Sequence, residues 1–236
     1  MEARISAGLT ALGLTPPPGA AGQLARYGSL LLEQNRVMNL TAITDPDQVA
    51  DLHFLDCAAL LTLGYDFQGR SLIDVGTGAG FPGLPLKILE PTLDVTLLDS
   101  LGKRVSWLET VGADLGLEGV TCLHARAEEG AHQPELRERF DFAVSRAVAA
   151  LPLLCELCLP YVKVGGYFLA MKSVDSAAEV EASGRAVSKL GGRLCPAADY
   201  TIPGTQVTHR VVAVEKIAPT PAAYPRRWPI MQKKPL

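Results

Sequence analysis

The chain has 236 residues, 48% of them hydrophobic, and a formal net charge of -3; such a chain can fold around its own core as one domain, or one plus a small addition. A pI of about 5.8 excludes a general polyanion binder, so any contact with nucleic acid must come from a local basic patch. No run approaches membrane-spanning length, Met1-Glu2-Ala3-Arg4-Ile5 has no signal layout, and five scattered cysteines suit a reduced cytoplasmic protein.

Residues 1–64 read as an N-terminal helical subdomain. Ile5, Leu9 and Leu12 keep the helical period, Pro16-Pro17-Pro18 interrupts it, and a second helix reaches about Met38 with Leu24, Tyr27, Leu31 and Met38 on one stripe. Asp45-Pro46 is a start signal, a side-chain cap followed by proline at the first helical position. The helix it opens carries His53 and Asp56 three apart on one face.

Residues 65–218 change character. The apolar run Leu72 to Val75 leads into Gly76-Thr77-Gly78-Ala79-Gly80-Phe81-Pro82-Gly83 and then a helix. Strand, glycine turn and helix form the unit with which α/β proteins cradle a nucleoside-bearing cofactor. Counted from Gly78 the turn satisfies the dinucleotide fingerprint. That reading places Pro82 where a pyrophosphate needs free helix N–H groups. Counted from the strand end, Asp74 with alternate glycines Gly76, Gly78 and Gly80 resembles motif I of the class I S-adenosylmethionine-dependent methyltransferases. In that reading Asp74 serves the cationic amino-acid end of the cofactor.

A second strand, Val95 to Leu98, ends at Asp99, 25 positions after Asp74. A carboxylate there can take both ribose hydroxyls, and it can also cap the helix that follows. A third strand, Val120 to Leu123, is followed by Ala127 and Glu128, which architecture places beside an adenine. Strand four, Phe140 to Val144, opens into Ser145-Arg146-Ala147, and strand five covers Gly166 to Met171. A helix from about Asp175 to Leu190, a weaker extended stretch at Leu194 to Ile202 and a buried strand at Arg210 to Val214 complete the domain. The expected fold is α/β: a Rossmann-like, mostly parallel sheet with an antiparallel strand near the C-terminus, plus the helical cap. Cys155-Glu156-Leu157-Cys158 is a lone C-x-x-C, better suited to core helix packing than to zinc, and no metal is expected.

The tail, residues 219–236, carries Arg226, Arg227, Lys233 and Lys234 with Tyr224 and Trp228 and no acidic residue after Tyr224. Its three prolines after that point argue against regular structure. Cations interleaved with aromatics suit phosphates and bases of RNA.

Asn39-Leu40-Thr41, His53-Phe54-Leu55-Asp56, Asp74 to Leu86, Leu98-Asp99-Ser100-Leu101-Gly102-Lys103-Arg104, Ser145-Arg146-Ala147, Tyr224-Pro225-Arg226 and Lys234-Pro235-Leu236 stand in one order. In this the chain resembles the ribosomal RNA small-subunit methyltransferase G family, also called glucose-inhibited division protein B, over nearly its full length. The resemblance implies methyl transfer from S-adenosylmethionine to N7 of one guanine in 16S ribosomal RNA, free or in a small-subunit particle, leaving S-adenosylhomocysteine. It places cofactor contacts at Gly76, Phe81, Ala127, Glu128 and Arg146, with Asp99 and Ser100 at the strand-two end.

Guanine N7 has a lone pair and no proton, so this chemistry needs positioning rather than a general base. Arg146 is placed to hold the cofactor or to donate to guanine O6, and Asp56 or the Asn39 amide to accept from the base. Lys103 and Arg104 open a helix and are candidates for RNA phosphate. The competing readings are a Rossmann-type oxidoreductase, a non-enzymatic RNA-binding factor on the same fold and a small-molecule methyltransferase.

Overall fold

The computed structural model describes residues 1–146 and 149–236. Helices α1 (Glu2–Ala11) and α2 (Ala20–Met38) bury Ile5, Leu9, Leu24, Tyr27 and Leu31, the stripe that the spacing predicts. Asp45 caps α3 (Pro46–Val49), its carboxylate accepting from the amides of Asp47 and Gln48. Helical backbone continues from there, but not as the single regular helix expected. A π-helical turn (Ala50–Leu55) passes into α4 (Asp56–Ala58) and a 3-10 turn (Ala59–Thr62). π turns concentrate at functional sites because they re-aim the side chains they carry.

Among the described residues eight strands follow: β1 (Ser71–Val75), β2 (Asp94–Asp99), β3 (Val120–His124), β4 (Phe140–Arg146), β5 (Val162–Ser173), β6 (Gly192–Leu194), β7 (Ala198–Thr201) and β8 (Thr208–Lys216). They form one sheet in the order β3-β2-β1-β4-β5-β8-β6, with β7 also on β8. Strands β1 to β5 pair in parallel, whereas β8 is antiparallel to β5, β6 and β7. The weak extended stretch is therefore β6 and β7, laid along successive parts of β8. The helices between strands are α5 (Gly83–Leu89), α6 (Gly102–Asp114), α7 (Ala127–Gly130), α8 (Leu151–Cys158) and α9 (Ala177–Lys189). α8 buries Cys155 and Cys158.

Side chains alternate across β1. Leu72 joins the core beneath the N-terminal helices, while Ile73 and Val75 join the core beneath α8 and α9. The first core is continuous from Ile5 to the sheet, so the helical cap rests directly on the strands. Strand order reverses between β1 and β4. Open α/β sheets bind ligands at the carboxyl ends of strands beside such a reversal.

The tail does not stay irregular. It forms α10 (Trp228–Lys233), with Pro229 in the first turn and Met231 fully buried. Proline costs little there, because the N–H it lacks has no helical acceptor.

Candidate active site

The carboxyl ends of β1, β2 and β3 lie level, Val75 beside Leu98 and Asp99 beside His124. A crevice runs along them in two compartments. The central one, about 420 Å³, is lined by Gly76, Gly78, Phe81, Asp99, Ser100 and Arg146, with Thr41, His53 and Arg104 also in its wall. A smaller one, about 190 Å³, shares Gly76 and Ser100 and continues past Ala127 and Glu128 to Trp228. Most of the residues expected to meet the cofactor are thus brought together.

The turn is built for bare backbone. Gly78 has φ +60°, and a Cβ there would meet no atom closer than 4.0 Å. Gly78 lines the crevice, so the space beside its backbone is open on that wall. Gly80 has φ +93° and faces inward, where a Cβ would stand 2.5 Å from the Tyr27 hydroxyl. That buried hydroxyl donates to the carbonyl of Ala79, which pins α2 to the turn.

Asp74 does not line the crevice. It shares the inward face of β1 with Leu72 and is fully buried. Its Oδ2 accepts from the Thr77 hydroxyl at 2.7 Å and the Gly83 amide at 2.8 Å, stapling the two ends of the turn. Oδ1 has no partner among the described residues. Burial pushes this carboxyl up to about 7. Asp99 combines two roles: Oδ2 accepts from the Gly78 amide and Oδ1 from the Leu101 amide, both at 2.9 Å, ordering the turn and the start of α6. Arg104 lines the crevice, Nη1 3.6 Å from Asp99 Oδ2, and Lys103 is exposed.

Arg146 ends β4 and separates the central compartment from a further cavity of about 680 Å³. Its guanidinium is committed to the protein. Nη1 donates to the Leu52 carbonyl at 3.1 Å and Asp56 Oδ2 at 3.0 Å, Nη2 meets His53 Nδ1 at 3.0 Å, and its centre sits 4.9 Å from the Phe81 ring centroid. The π turn is what offers it the Leu52 carbonyl and the His53 ring. Ala147, next in the expected Ser145-Arg146-Ala147 turn, lies outside the described residues.

Arginine only donates, so His53 Nδ1 accepts and its Nε2 carries the proton, given to Thr41 Oγ at 2.8 Å. Burial and the neighbouring Arg146 hold His53 neutral, down to about 4. Asp56 is 1% exposed, and its Oδ1 accepts from the Tyr200 hydroxyl and His209 Nδ1, each at 2.7 Å. Although burial raises it, the His209 hydrogen bond and the charge of Arg146 bring the carboxyl below its usual range. With those contacts in place, Asp56 organises its neighbours rather than offering a vacant acceptor to a base. Asn39 stands apart as the exposed C-cap of α2, with φ +50°, and lines none of these cavities. Tyr200 and His209, from β7 and β8, are the members that sequence reasoning missed.

The tail closes the small compartment. Arg226 is bound to buried Glu156 through Nε–Oε1 at 2.8 Å and Nη2–Oε2 at 2.7 Å, so it serves the fold and not RNA. Arg227, Lys233 and Lys234 remain exposed. Among the described residues no group of three or more His, Cys, Asp or Glu is arranged to hold a metal ion.

A family model described as GidB, rRNA small subunit methyltransferase G, matches residues 20–198. The ribosomal RNA small subunit methyltransferase G of Alkaliphilus metalliredigens is 45% identical over 229 residues, 97% of this chain and 96% of that one. The chain belongs to this family. The methyltransferase G of Clostridium perfringens is 46% identical over 210 residues, 89% of this chain and 88% of that one. Outside the methyltransferase G family, the crystal structure of M. jannaschii TYW2 in complex with AdoMet superposes with a TM-score of 0.51 over 65% of this chain and 72% of that one. At 15% identity it shares the fold alone.

Proposed function

We propose that this chain transfers a methyl group from S-adenosylmethionine to N7 of a guanine in 16S ribosomal RNA. The supporting observation is the two-compartment crevice meeting a further cavity at Arg146. The residues present fit the cofactor: the open backbone at Gly78 takes a close approach, and Asp99 and Ser100 stand at the strand end suited to a ribose. Ala127, Glu128 and Trp228 frame a compartment of adenine size. Arg104, Thr41 and the stacked Phe81–His53 pair, ring centroids 4.6 Å apart, bound the other end.

When bound, S-adenosylmethionine supplies a methyl carbon made electrophilic by its sulfonium. This chain's residues then have three tasks. The glycine turn fixes the donor, Arg146 and its partners hold the boundary between the two cavities rigid, and the far cavity receives the base. In-line positioning of this kind is worth roughly 7–11 kcal/mol. No residue has to remove a proton, which agrees with a site whose one central histidine is neutral and fully hydrogen-bonded. The exposed tail cations Arg227, Lys233 and Lys234 are assigned to RNA phosphate.

The substrate is the rRNA free or within a small-subunit particle, in the cytoplasm; no helix among the described residues is long and apolar enough to cross a membrane. The test is mass mapping of 16S ribosomal RNA from cells lacking the chain, followed by restoration with the purified protein on naked RNA and on particles. One missing and restored guanine methyl is the expected result. Calorimetry with S-adenosylmethionine against NAD separates the reading from an oxidoreductase.

A further inference from the structure

We propose that His209, held by Asp56, reads the target guanine, its Nε2 accepting the N1–H of the base in the cavity beyond Arg146. The inference rests on the guanine-N7 reading and deepens it.

The cavity has room for a nucleobase together with its sugar. At about 680 Å³ it has apolar walls from Ile43, Leu52, Met171 and Val207, and enzymes that modify a base commonly take it out of the stack into such a pocket. Among the described residues, His53 and Arg146 line both the cofactor crevice and this cavity. Two polar groups in it await a partner. Ser176 is 7% exposed, and its hydroxyl has no hydrogen-bond partner among the described residues. His209 uses Nδ1 for Asp56, while Nε2 has no partner among them.

The chemistry of His209 follows from Asp56. A carboxylate only accepts, so Nδ1 carries the proton; the Asp56 hydrogen bond also raises His209 above the ordinary imidazole value, and Nε2 becomes an acceptor once the pH passes that raised value. Guanine presents a donor at N1, whereas adenine presents a lone pair that would face the Nε2 lone pair. The same contact would therefore choose guanine over adenine and set the ring in one orientation.

It would also strengthen during the reaction. As N7 forms its bond to the methyl carbon, the C–S bond breaks, its electron pair stays on sulfur, and the positive charge passes to the base. A more cationic ring makes N1–H a stronger donor, so an acceptor there binds the transition state better than the ground state. The cavity's charge suits this. Arg146 pairs with Asp56 and Lys172 with Glu179, leaving exposed Asp175 with no ion-pair partner among the described residues. With His209 neutral the lining carries one negative charge, and with His209 protonated it carries none. The groups that face His209 are Asp56, Tyr200 and Arg146, and His53, Lys172, Asp175 and Glu179 share its cavity.

The test compares wild type, His209→Phe and His209→Gln on 16S ribosomal RNA that lacks the methyl. It reads kcat, KM for RNA, S-adenosylmethionine affinity by calorimetry, and rate against pH. The Phe variant should lose roughly ten- to a hundredfold in kcat, the range for an unpaired buried donor. Cofactor affinity should stay within about twofold. The Gln variant, which keeps a carbonyl acceptor, should recover part of the rate. The wild-type rate should rise as pH passes the raised value at which the His209 imidazolium loses its proton; both variants should lose that limb and keep only the acid-side loss toward pH 4 that His53 causes. A Phe variant at wild-type rate with an unchanged pH limb would overturn the inference. So would cofactor affinity and melting temperature falling in step with rate, which marks a structural residue. A wild type that places no methyl on guanine N7 rejects the proposed function itself, and the inference with it.

Discussion

Arg226 grips Glu156 at two points, 2.8 and 2.7 Å, and Glu156 has no exposed surface. The Arg226 amide donates to the same carboxylate at 2.8 Å, so backbone and side chain dock together. Arg137 holds the segment just before them, Nη1 donating to the Tyr224 carbonyl and Nη2 to that of Thr220. Replacing Arg226 with alanine strands a buried carboxylate, an event that costs about 3–5 kcal/mol. Arg226→Ala should melt well below wild type in calorimetry. Its cofactor affinity should fall as well, because Trp228 follows the pair by two residues.

Trp228 tests that link directly. It lines the compartment with Ala127 and Glu128 and packs, partly buried, on the edge of the core beneath α8 and α9, so removing it opens the adenine end and takes away only part of that packing. Trp228→Ala should weaken S-adenosylmethionine binding roughly tenfold, as expected for loss of a large aromatic contact. Its melting temperature without ligand should fall less than that of Arg226→Ala. Unaltered affinity in titration calorimetry would remove the tail from the cofactor site.

What the chain reveals in one dimension follows from which interactions are local. Strands β1 to β5 announce themselves through short β-rich runs, and the turn after β1 through glycines that positive φ requires. Asp99 was readable as the group that orders the start of α6, because the Leu101 amide lies two residues on; its bond to the Gly78 amide, 21 residues back, was not. The distance of Asp74 from the turn says nothing about which face of β1 it occupies; sharing the face of Leu72, against the helical cap, buries it beneath the turn. The network of Thr41, His53, Asp56, Arg146, Tyr200 and His209 is spread over five segments, and only the fold assembles it. The π turn that aims His53 leaves no mark in the hydrophobic period. In the tail, three prolines masked a helix that needs just one of them in its first turn.

The remaining tail cations give a salt-dependence test. With Arg226 withdrawn into its ion pair, three exposed charges are left: Arg227, Lys233 and Lys234. If each meets a phosphate, changing all three to alanine should flatten the slope of log affinity against log salt by about 2, at roughly 0.7 per single-stranded contact. RNA filter binding across a salt series measures it, with melting temperature as the control for folding. An unchanged slope would assign RNA binding to another surface.

Asp74 predicts a stability that falls as pH rises. Its carboxyl is held near 7 when folded against a usual 3.8, so the unfolded chain loses this proton first. The favourable contribution is complete below pH 3.8 and disappears as pH passes 7, worth roughly 4 kcal/mol. Asp74→Asn keeps an oxygen for Thr77 and Gly83 and has no proton to lose. Its stability relative to wild type should therefore climb between pH 4 and 8 in denaturant titrations. Cofactor affinity should hold within about threefold, since Asp74 lies beneath the turn; a large loss would return it to the binding surface.

His53 gives the opposite sign. Burial first, and the facing Arg146 second, hold its folded value near 4 against a usual 6.5. The unfolded chain therefore takes up the proton that the folded one refuses, and stability declines as pH falls from 6.5 toward 4, by about 3 kcal/mol. Protonation would also place a donor at Nδ1 against the Arg146 guanidinium that now donates to it at 3.0 Å. Because that guanidinium bounds both cavities, methyl transfer should fail on the acid side before the protein unfolds. His53→Gln can still accept from Arg146 and should lose this acid-side decline in stability while keeping the one due to Asp74 at higher pH. Chemical denaturation of wild type, His53→Gln and Asp74→Asn across pH 4 to 8 resolves the two terms, and parallel curves for all three would contradict both assignments.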